Sequence, residues 1–462
     1  MPSRQDQLHS YQFTVQRVVA ALVLRETDPP HSPLRRAAGT ALAGVLIAAI
    51  GIGAAAVYGV LTGTGGTDWR DPRSVIVEKE SGARYVYRDD TLHLVLNYAS
   101  ARLIIGTPDP KTVLVSRRSI DGVPRGAPLG IADAPDSLPD PGRLTSTPWT
   151  VCSTPATDAT PPRSALLVGV PAGGGSLAYD DAVLARHPAG ELHLVWHNRR
   201  YRISGEKDVL TALNWASKRP VPVAPALLNA LPAGPDLAPV PVPGRGRPSV
   251  GVPRAKVGEV FVVTSQGGDR QYYVALRAGL AAITQLQSNL LLVAAGQLDP
   301  KHLQPVRLAA IPREPDLIPD GPEAPPSTIP PLADTATGAL CGQVADDGGV
   351  REVRVGSTVP DLGGTAATAA RSGRGAALAD RVLVPPGRGA VVEAAAAPGA
   401  TGGALCVVTD LGRRYPVAGG EVLGMLGYGK VTPLRLPAAV VALVPAGTVL
   451  DPVAAQNPAS AD

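Results

Sequence analysis

Aromatic residues are scarce in this chain of 462: two Phe, four Trp and eleven Tyr. The core must therefore rest on Ala, Val and Leu, and with 51 Gly and 48 Pro it suits short strands and many turns better than long helices. Gly and Pro stay below the level that marks a disordered, low-complexity protein. An excess of one charge is missing too, since 43 basic residues face 39 acidic ones. That balance argues against a nucleic-acid binder, which would show a concentrated basic face. Cysteine is limited to three positions whose spacing excludes a zinc site. The length allows two or three ordinary domains.

One long apolar run is present. No charged residue occurs between Ala37 and Thr67, and residues 37–61 are almost wholly apolar or small. As a helix those 25 residues reach about 37 Å, enough to cross a hydrocarbon core of roughly 30 Å with some tilt. Ala54–Ala56 offers the small residues of a signal-peptide cleavage site. A cleaved leader, however, wants a short basic start and an apolar stretch of about 7–15 residues. Here 36 residues precede a longer stretch, so an uncleaved, single-pass anchor in the cell membrane is expected. Arg35 and Arg36 abut its N-terminal side and Gly63, Gly65 and Gly66 follow it, which puts the N-terminus in the cytoplasm. Arg70 and Arg73 on the far side reduce that bias. In the tail, Leu8, Tyr11, Val15, Val18 and Leu22 recur at helical spacing before Pro29 and Pro30. Such a short amphipathic helix has no core of its own, so these five residues are expected to bind a partner or the membrane surface.

The remainder repeats itself. Leu96-Asn97-Tyr98-Ala99-Ser100-Ala101-Arg102 parallels Leu213-Asn214-Trp215-Ala216-Ser217-Lys218-Arg219, and Arg84-Tyr85 parallels Arg200-Tyr201. Val262-Val263-Thr264-Ser265-Gln266-Gly267, leading to Tyr272-Tyr273, parallels Val407-Val408-Thr409-Asp410-Leu411-Gly412, leading to Arg413-Arg414-Tyr415. Downstream, residues 227–234 match 440–447. The unit reads strand, Gly-containing turn, strand, short helix, then a Pro-punctuated second helix or turn. Residues 75–77 and 192–196 alternate like strands; 208–215 and 280–292 read as helices.

The expected organisation is a cytoplasmic tail (1–36), a transmembrane helix (37–61), a linker (62–72) and repeat 1 (73–144). A first central segment (145–182) precedes repeat 2 (183–249) and then repeat 3 with a Pro-rich connector (250–330). A second central segment (331–399), repeat 4 (400–455) and a tail (456–462) complete it. The near-mirror order suggests that the central segments meet as one mainly β domain. The expected fold class is α+β: one N-terminal transmembrane helix, then an elongated, quasi-two-fold extracytoplasmic domain of four small α/β repeats around that centre. Stretches 239–253 and 312–331 read as stiff Pro-rich connectors.

Cys152 and Cys341 lie in the two central segments, and outside the cytoplasm that invites a disulfide. Cys406 opens an apolar strand and reads as a buried free thiol.

One stretch resembles a phosphate-cradling loop. Gly424, Gly429 and Lys430 stand at P-loop positions, with Thr432 near the place of the magnesium-binding hydroxyl. Val431 occupies the position directly after the lysine, and no strand–loop–helix unit is visible there. The stretch also coincides with Leu213-Asn214-Trp215 of another copy, which makes Tyr428 a packing aromatic. His193 and His197 would lie about 13 Å apart on a strand, too far for one metal. No Gly-x-Ser-x-Gly elbow or dinucleotide fingerprint occurs. No catalytic residue or metal site is expected, and ATP would be the only cofactor, under an ATPase alternative.

The opening Met1-Pro2-Ser3-Arg4-Gln5-Asp6-Gln7-Leu8-His9-Ser10-Tyr11-Gln12-Phe13 resembles the start of EccB, a membrane component of the actinobacterial type VII (ESX) secretion system. So do Arg17, Arg25, Arg35-Arg36, Trp149-Thr150-Val151-Cys152 and residues 408–417. The resemblance implies one transmembrane helix, a periplasm-like domain of four repeats around a disulfide-bearing core, and assembly with EccC, EccD, EccE and the mycosin protease. It also implies that Cys152 and Cys341 take the disulfide positions. The expected function is therefore a self-associating structural subunit of a secretion channel, gripping partners by its tail. Two other classes remain open: an ATP-hydrolysing subunit using 424–430, and a membrane-tethered module that binds cell-wall glycan.

Overall fold

The computed structural model describes residues 3–25, 33–62, 68–108, 110–157, 160–317, 321–335 and 338–459. They divide into two compact bodies, one holding residues up to 92 together with 111–126, the other holding 93–110 and everything from 127 onward.

In the first body, helix α1 (Arg4–Leu24) starts at Ser3, whose hydroxyl accepts from the Asp6 amide while the Asp6 carboxylate accepts from the Ser3 amide at 3.1 Å. This reciprocal pair satisfies two otherwise orphaned donors. Pro29 and Pro30, expected to end the helix, lie outside the described residues. Helix α2 (Pro33–Thr62) opens on a proline, whose missing N–H costs nothing in a first turn. Its stretch Gly39–Tyr58 is long and apolar enough to cross a membrane, and none of it is buried against protein. Next come β1 (Ser74–Glu78), β2 (Arg84–Arg88) and β3 (Thr91–Val95). Helix α3 (Tyr98–Ile105) belongs to the second body, and β4 (Lys111–Val115) again to the first. Strand β1 pairs antiparallel with β2 and parallel with β4. Trp69, Ile76, Val115 and Ile120 form their core.

The second body is built on a six-stranded sheet. Its strands are β5 (Trp149–Thr154), β6 (Arg163–Leu167), β7 (Gly175–Ser176) and, from far along the chain, β17 (Ala339–Asp346), β18 (Gly349–Ser357) and β19 (Arg381–Leu383). The order β19-β6-β5-β17-β18-β7 interleaves the two central segments.

Around it stand three further sheets. The second unit has β8 (Val183–Arg186), β9 (Leu192–Trp196), β10 (Arg199–Arg202), α4 (Glu206–Ala212), β11 (Val221–Pro222) and α5 (Pro225–Ala230). The third has β12 (Val260–Thr264), β13 (Arg270–Ala275), β14 (Leu280–Ile283), α6 (Gln285–Ala295), β15 (Lys301–His302), α7 (Pro305–Ala309) and β16 (Arg313–Glu314). The fourth has β20 (Ala390–Ala395), β21 (Ala404–Val408), β22 (Arg414–Pro416), α8 (Gly420–Met425), β23 (Leu434–Pro437) and α9 (Ala438–Val441). In each sheet the strand after the helix crosses over to pair parallel with the first strand, giving orders β10-β9-β8-β11, β14-β13-β12-β15 and β22-β21-β20-β23. Strands β1, β2 and β4 repeat that pairing. The third strand is then covered by a parallel partner at the unit's end: Ile203 with Leu237, Leu280 with Arg313, Val417 with Leu450, and, in the first unit, Val95 with Leu129.

The unit thus has three strands before its helix where the sequence suggested two, and some apparent equivalences shift. Val262-Val263-Thr264 ends a first strand and Val407-Val408 ends a second, so Tyr273 and Tyr415 are not counterparts. Tyr85 lies on a second strand and Tyr201 on a third. Asn97 is the N-cap of α3, whereas Asn214 follows the end of α4. The helix expected over 280–292 begins only at Gln285, after a strand. Strand β20 places the start of the fourth unit at 390, inside the stretch assigned to the second central segment. Val242 and Val252 are buried in the third unit's core, so 239–253 packs rather than bridges.

Equivalent helices meet: α4 contacts α6, α5 contacts α9, and α3 contacts α8. One apolar cluster runs from Trp149, Leu166 and Val344 of the central sheet through Leu227 of α5 to Val440 of α9. A last short helix, α10 (Pro452–Ala455), packs on α3. Residues 458 and 459 beyond it are held in place: Leu129 bridges Pro458 and the Ala459 amide donates to the Pro128 carbonyl at 2.8 Å.

Candidate functional site

The disulfide follows from the sheet register. Strands β5 and β17 pair antiparallel with Cys152 directly opposite Cys341, both fully buried, and they are bonded across a sequence separation of 189. Cys406 is buried and free on β21. Burial pushes its thiol pKa up, which keeps it protonated and unreactive.

The tail residues Leu8, Tyr11, Val15, Val18 and Leu22 are all exposed on α1, and Phe13, Val19 and Val23 are exposed beside them. The apolar surface is thus wider than the five-residue stripe.

A phosphate cradle needs free amides at a helix N-terminus, where the dipole favours an anion. Residues 424–430 instead run off the C-terminal end of α8. The amides of Leu426, Gly427, Tyr428 and Val431 already donate to Val422, Gly424, Leu423 and Tyr428. The guanidinium of Arg102, from α3, donates to the Met425 carbonyl at 3.2 Å. A cation on exposed helix-terminal carbonyls is the arrangement opposite to the one a phosphate requires. Lys430 and Thr432 are exposed, and Tyr428 is buried with its hydroxyl donating to the Pro139 carbonyl at 2.7 Å. Tyr428 holds the place of Trp215: each follows a left-handed residue (Gly427, φ +91°; Asn214, φ +55°) and donates its amide to a carbonyl five residues back. These residues do not fit ATP. Sequence reasoning missed Arg102, which lies 323 positions from its partner Met425.

His193 and His197 do not share a site. His193 faces inward from β9, and burial lowers its pKa. His197 sits in the β9–β10 turn. Among the described residues, no cluster of three or more His, Cys, Asp or Glu could hold a metal.

A family profile described as "Type VII secretion system ESX-1, transport TM domain B" matches residues 1–459. The chain is 30% identical over 477 residues to the "ESX-3 secretion system ATPase EccB3" of Mycolicibacterium smegmatis, covering 96% of this chain and 88% of that one. It is 31% identical over 326 residues to the "ESX-5 secretion system ATPase EccB5" of Mycobacterium tuberculosis, covering 67% and 63%. Among solved structures it resembles a chain of an intact ESX-5 inner membrane complex (TM-score 0.66, 28% identity, 100% of this chain and 96% of that one). It also resembles a chain of the periplasmic assembly from that complex (TM-score 0.63, 29% identity, 83% and 94%). A third likeness is to an EccB3 dimer from the ESX-3 core complex (TM-score 0.65, 27% identity, 83% and 99%).

Proposed function

The chain belongs to the EccB family of type VII secretion membrane components, and from that membership we propose that it is a structural subunit of an ESX inner membrane complex. Its work is to hold a folded body on one side of the bilayer while its tail and single transmembrane helix bind other subunits. The observation that carries this reading is the likeness over the whole chain to one component of an intact inner membrane complex. The exposed apolar residues of α1 supply a docking surface.

The N-terminus lies in the cytoplasm and the bulk of the chain lies outside it. Two observations support that orientation: the buried disulfide, which suits an oxidising compartment, and the resemblance of 83% of the chain to part of a periplasmic assembly. EccC, EccD, EccE and the mycosin protease are the proposed partners, and a second copy is another, since a relative's structure is of a dimer. The ATPase activity for which those relatives are named finds no counterpart in the 424–430 turn.

Removing residues 3–25 tests the scaffold role. The expected result is loss of co-purification with the other membrane subunits while circular dichroism and thermal unfolding of the outer body stay unchanged. Undiminished co-purification would overturn the reading.

A further inference from the structure

A cavity of about 520 Å³ opens beside the β9–β10 turn, lined among others by Tyr179, His197, Arg199, Pro232, Arg351 and Glu352. One wall presents the rings of Tyr179 and His197, and Trp196 is stacked on the imidazole. Trp196 lies on His197 with centroids 3.4 Å apart and planes at 16°, and Tyr179 lies on the imidazole at 4.0 Å and 36°. The stack is held by rigid elements. His197 and Asn198 take left-handed conformations (φ +47° and +60°), the geometry of a tight two-residue hairpin loop. Asn198 then fixes that loop to β18: its side chain accepts from the Val353 amide at 3.0 Å and donates to the Arg351 carbonyl at 2.8 Å.

Tyr179 is 77% exposed although one face rests on His197, so its other face is open to solvent. The charges around the cavity are already matched. Arg351 pairs with Asp346 at 2.9 Å, Arg199 with Glu323 at 3.1 Å and Glu352 with Arg354 at 2.8 Å. An ionic ligand gains little where the charged side chains among the described lining residues already have partners. A neutral ring with an apolar face and a rim of hydroxyls matches both features: its C–H face covers the tyrosine, and its hydroxyls bond to the guanidinium and carboxylate edges. Small-ligand sites commonly combine an aromatic wall with a few fixed polar groups in this way.

We propose that this cavity binds a pyranose unit of a neutral glycan, stacked on Tyr179. The inference is independent of the scaffold role, because it concerns a different surface from the tail.

The test uses the full-length protein in nanodiscs, since detergents with sugar headgroups would compete. Chitotetraose, cellotetraose and maltotetraose are titrated while intrinsic tryptophan fluorescence and ligand-observed NMR are followed, with decaproline as the competing class. At least one tetrasaccharide is expected to bind. Tyr179→Ala should weaken it about tenfold, Tyr179→Phe by less than about twofold, and Leu411→Ala, at another exposed apolar position, not at all. The proposal fails if no tetrasaccharide binds at about 10 mM, if Tyr179→Ala binds like the wild type, or if decaproline alone binds.

Discussion

Tyr201 lies across Gly234 so closely that a β-carbon on the glycine would stand 2.3 Å from its Cε1. Tyr415 covers Gly447 in the same way, at 2.4 Å. Both tyrosines lie on the third strand of their unit, and both glycines lie in the segment that closes it. In the third unit Ala281 takes the tyrosine's place, and Glu314, not a glycine, stands opposite. Ring and glycine form one packing device, present in the second and fourth units.

Gly234→Ala and Gly447→Ala should therefore each destabilise the protein by about 1–3 kcal/mol, the usual range for overpacking. Gly424→Ala is the contrast. It has open space around its would-be β-carbon and sits in a helix, so it should be neutral or stabilising by up to about 1 kcal/mol. Denaturant unfolding of the three variants checks the sign difference.

Replacing both Cys152 and Cys341 by alanine removes a crosslink that closes a loop of 189 residues. The chain-entropy estimate for such a loop is about 5 kcal/mol. The double variant should unfold at lower temperature, and dithiothreitol should lower the melting point of the wild type but not of the variant.

His193 is buried on β9 with Nδ1 unpartnered, and burial depresses its pKa, with Arg200 adding to the effect and Glu191 opposing it. A depressed histidine contributes stability that is full above its unfolded value, about 6.5, and is lost as pH falls through the folded value. The wild type should therefore weaken between about pH 7 and 5. His193→Leu should flatten that slope, as read from unfolding midpoints across the range. A slope equal to the wild type's would refute the assignment.

Lys430 is exposed beyond a turn whose amides are spent internally. Lys430→Ala should leave both stability and any phosphate release from ATP by the purified protein at the wild-type level. A colorimetric phosphate assay on matched preparations decides it.

The apolar helix, the short strands and the existence of repeats were legible because each rests on local periodicity. The register between repeats was not. Each unit contains two successive hairpins, and a Val-Val-Thr run with a Gly-containing turn specifies a hairpin without saying whether it is the first or the second. Asparagine misled in a related way: it suits the N-cap of α3 at position 97 and the left-handed residue after α4 at 214, so similar heptapeptides occupy different places. The aromatic wall at Tyr179 was hidden for another reason. It depends on a turn, an irregular segment and the edge of a sheet whose strands come from distant parts of the chain.

Helix α3 is made early, yet its cover comes from α8, α10 and the strand-like pairing of Leu129 with Pro458. A cut before Pro452 would therefore strip part of the cover from α3, so damage far downstream is felt by a helix near the start of this body.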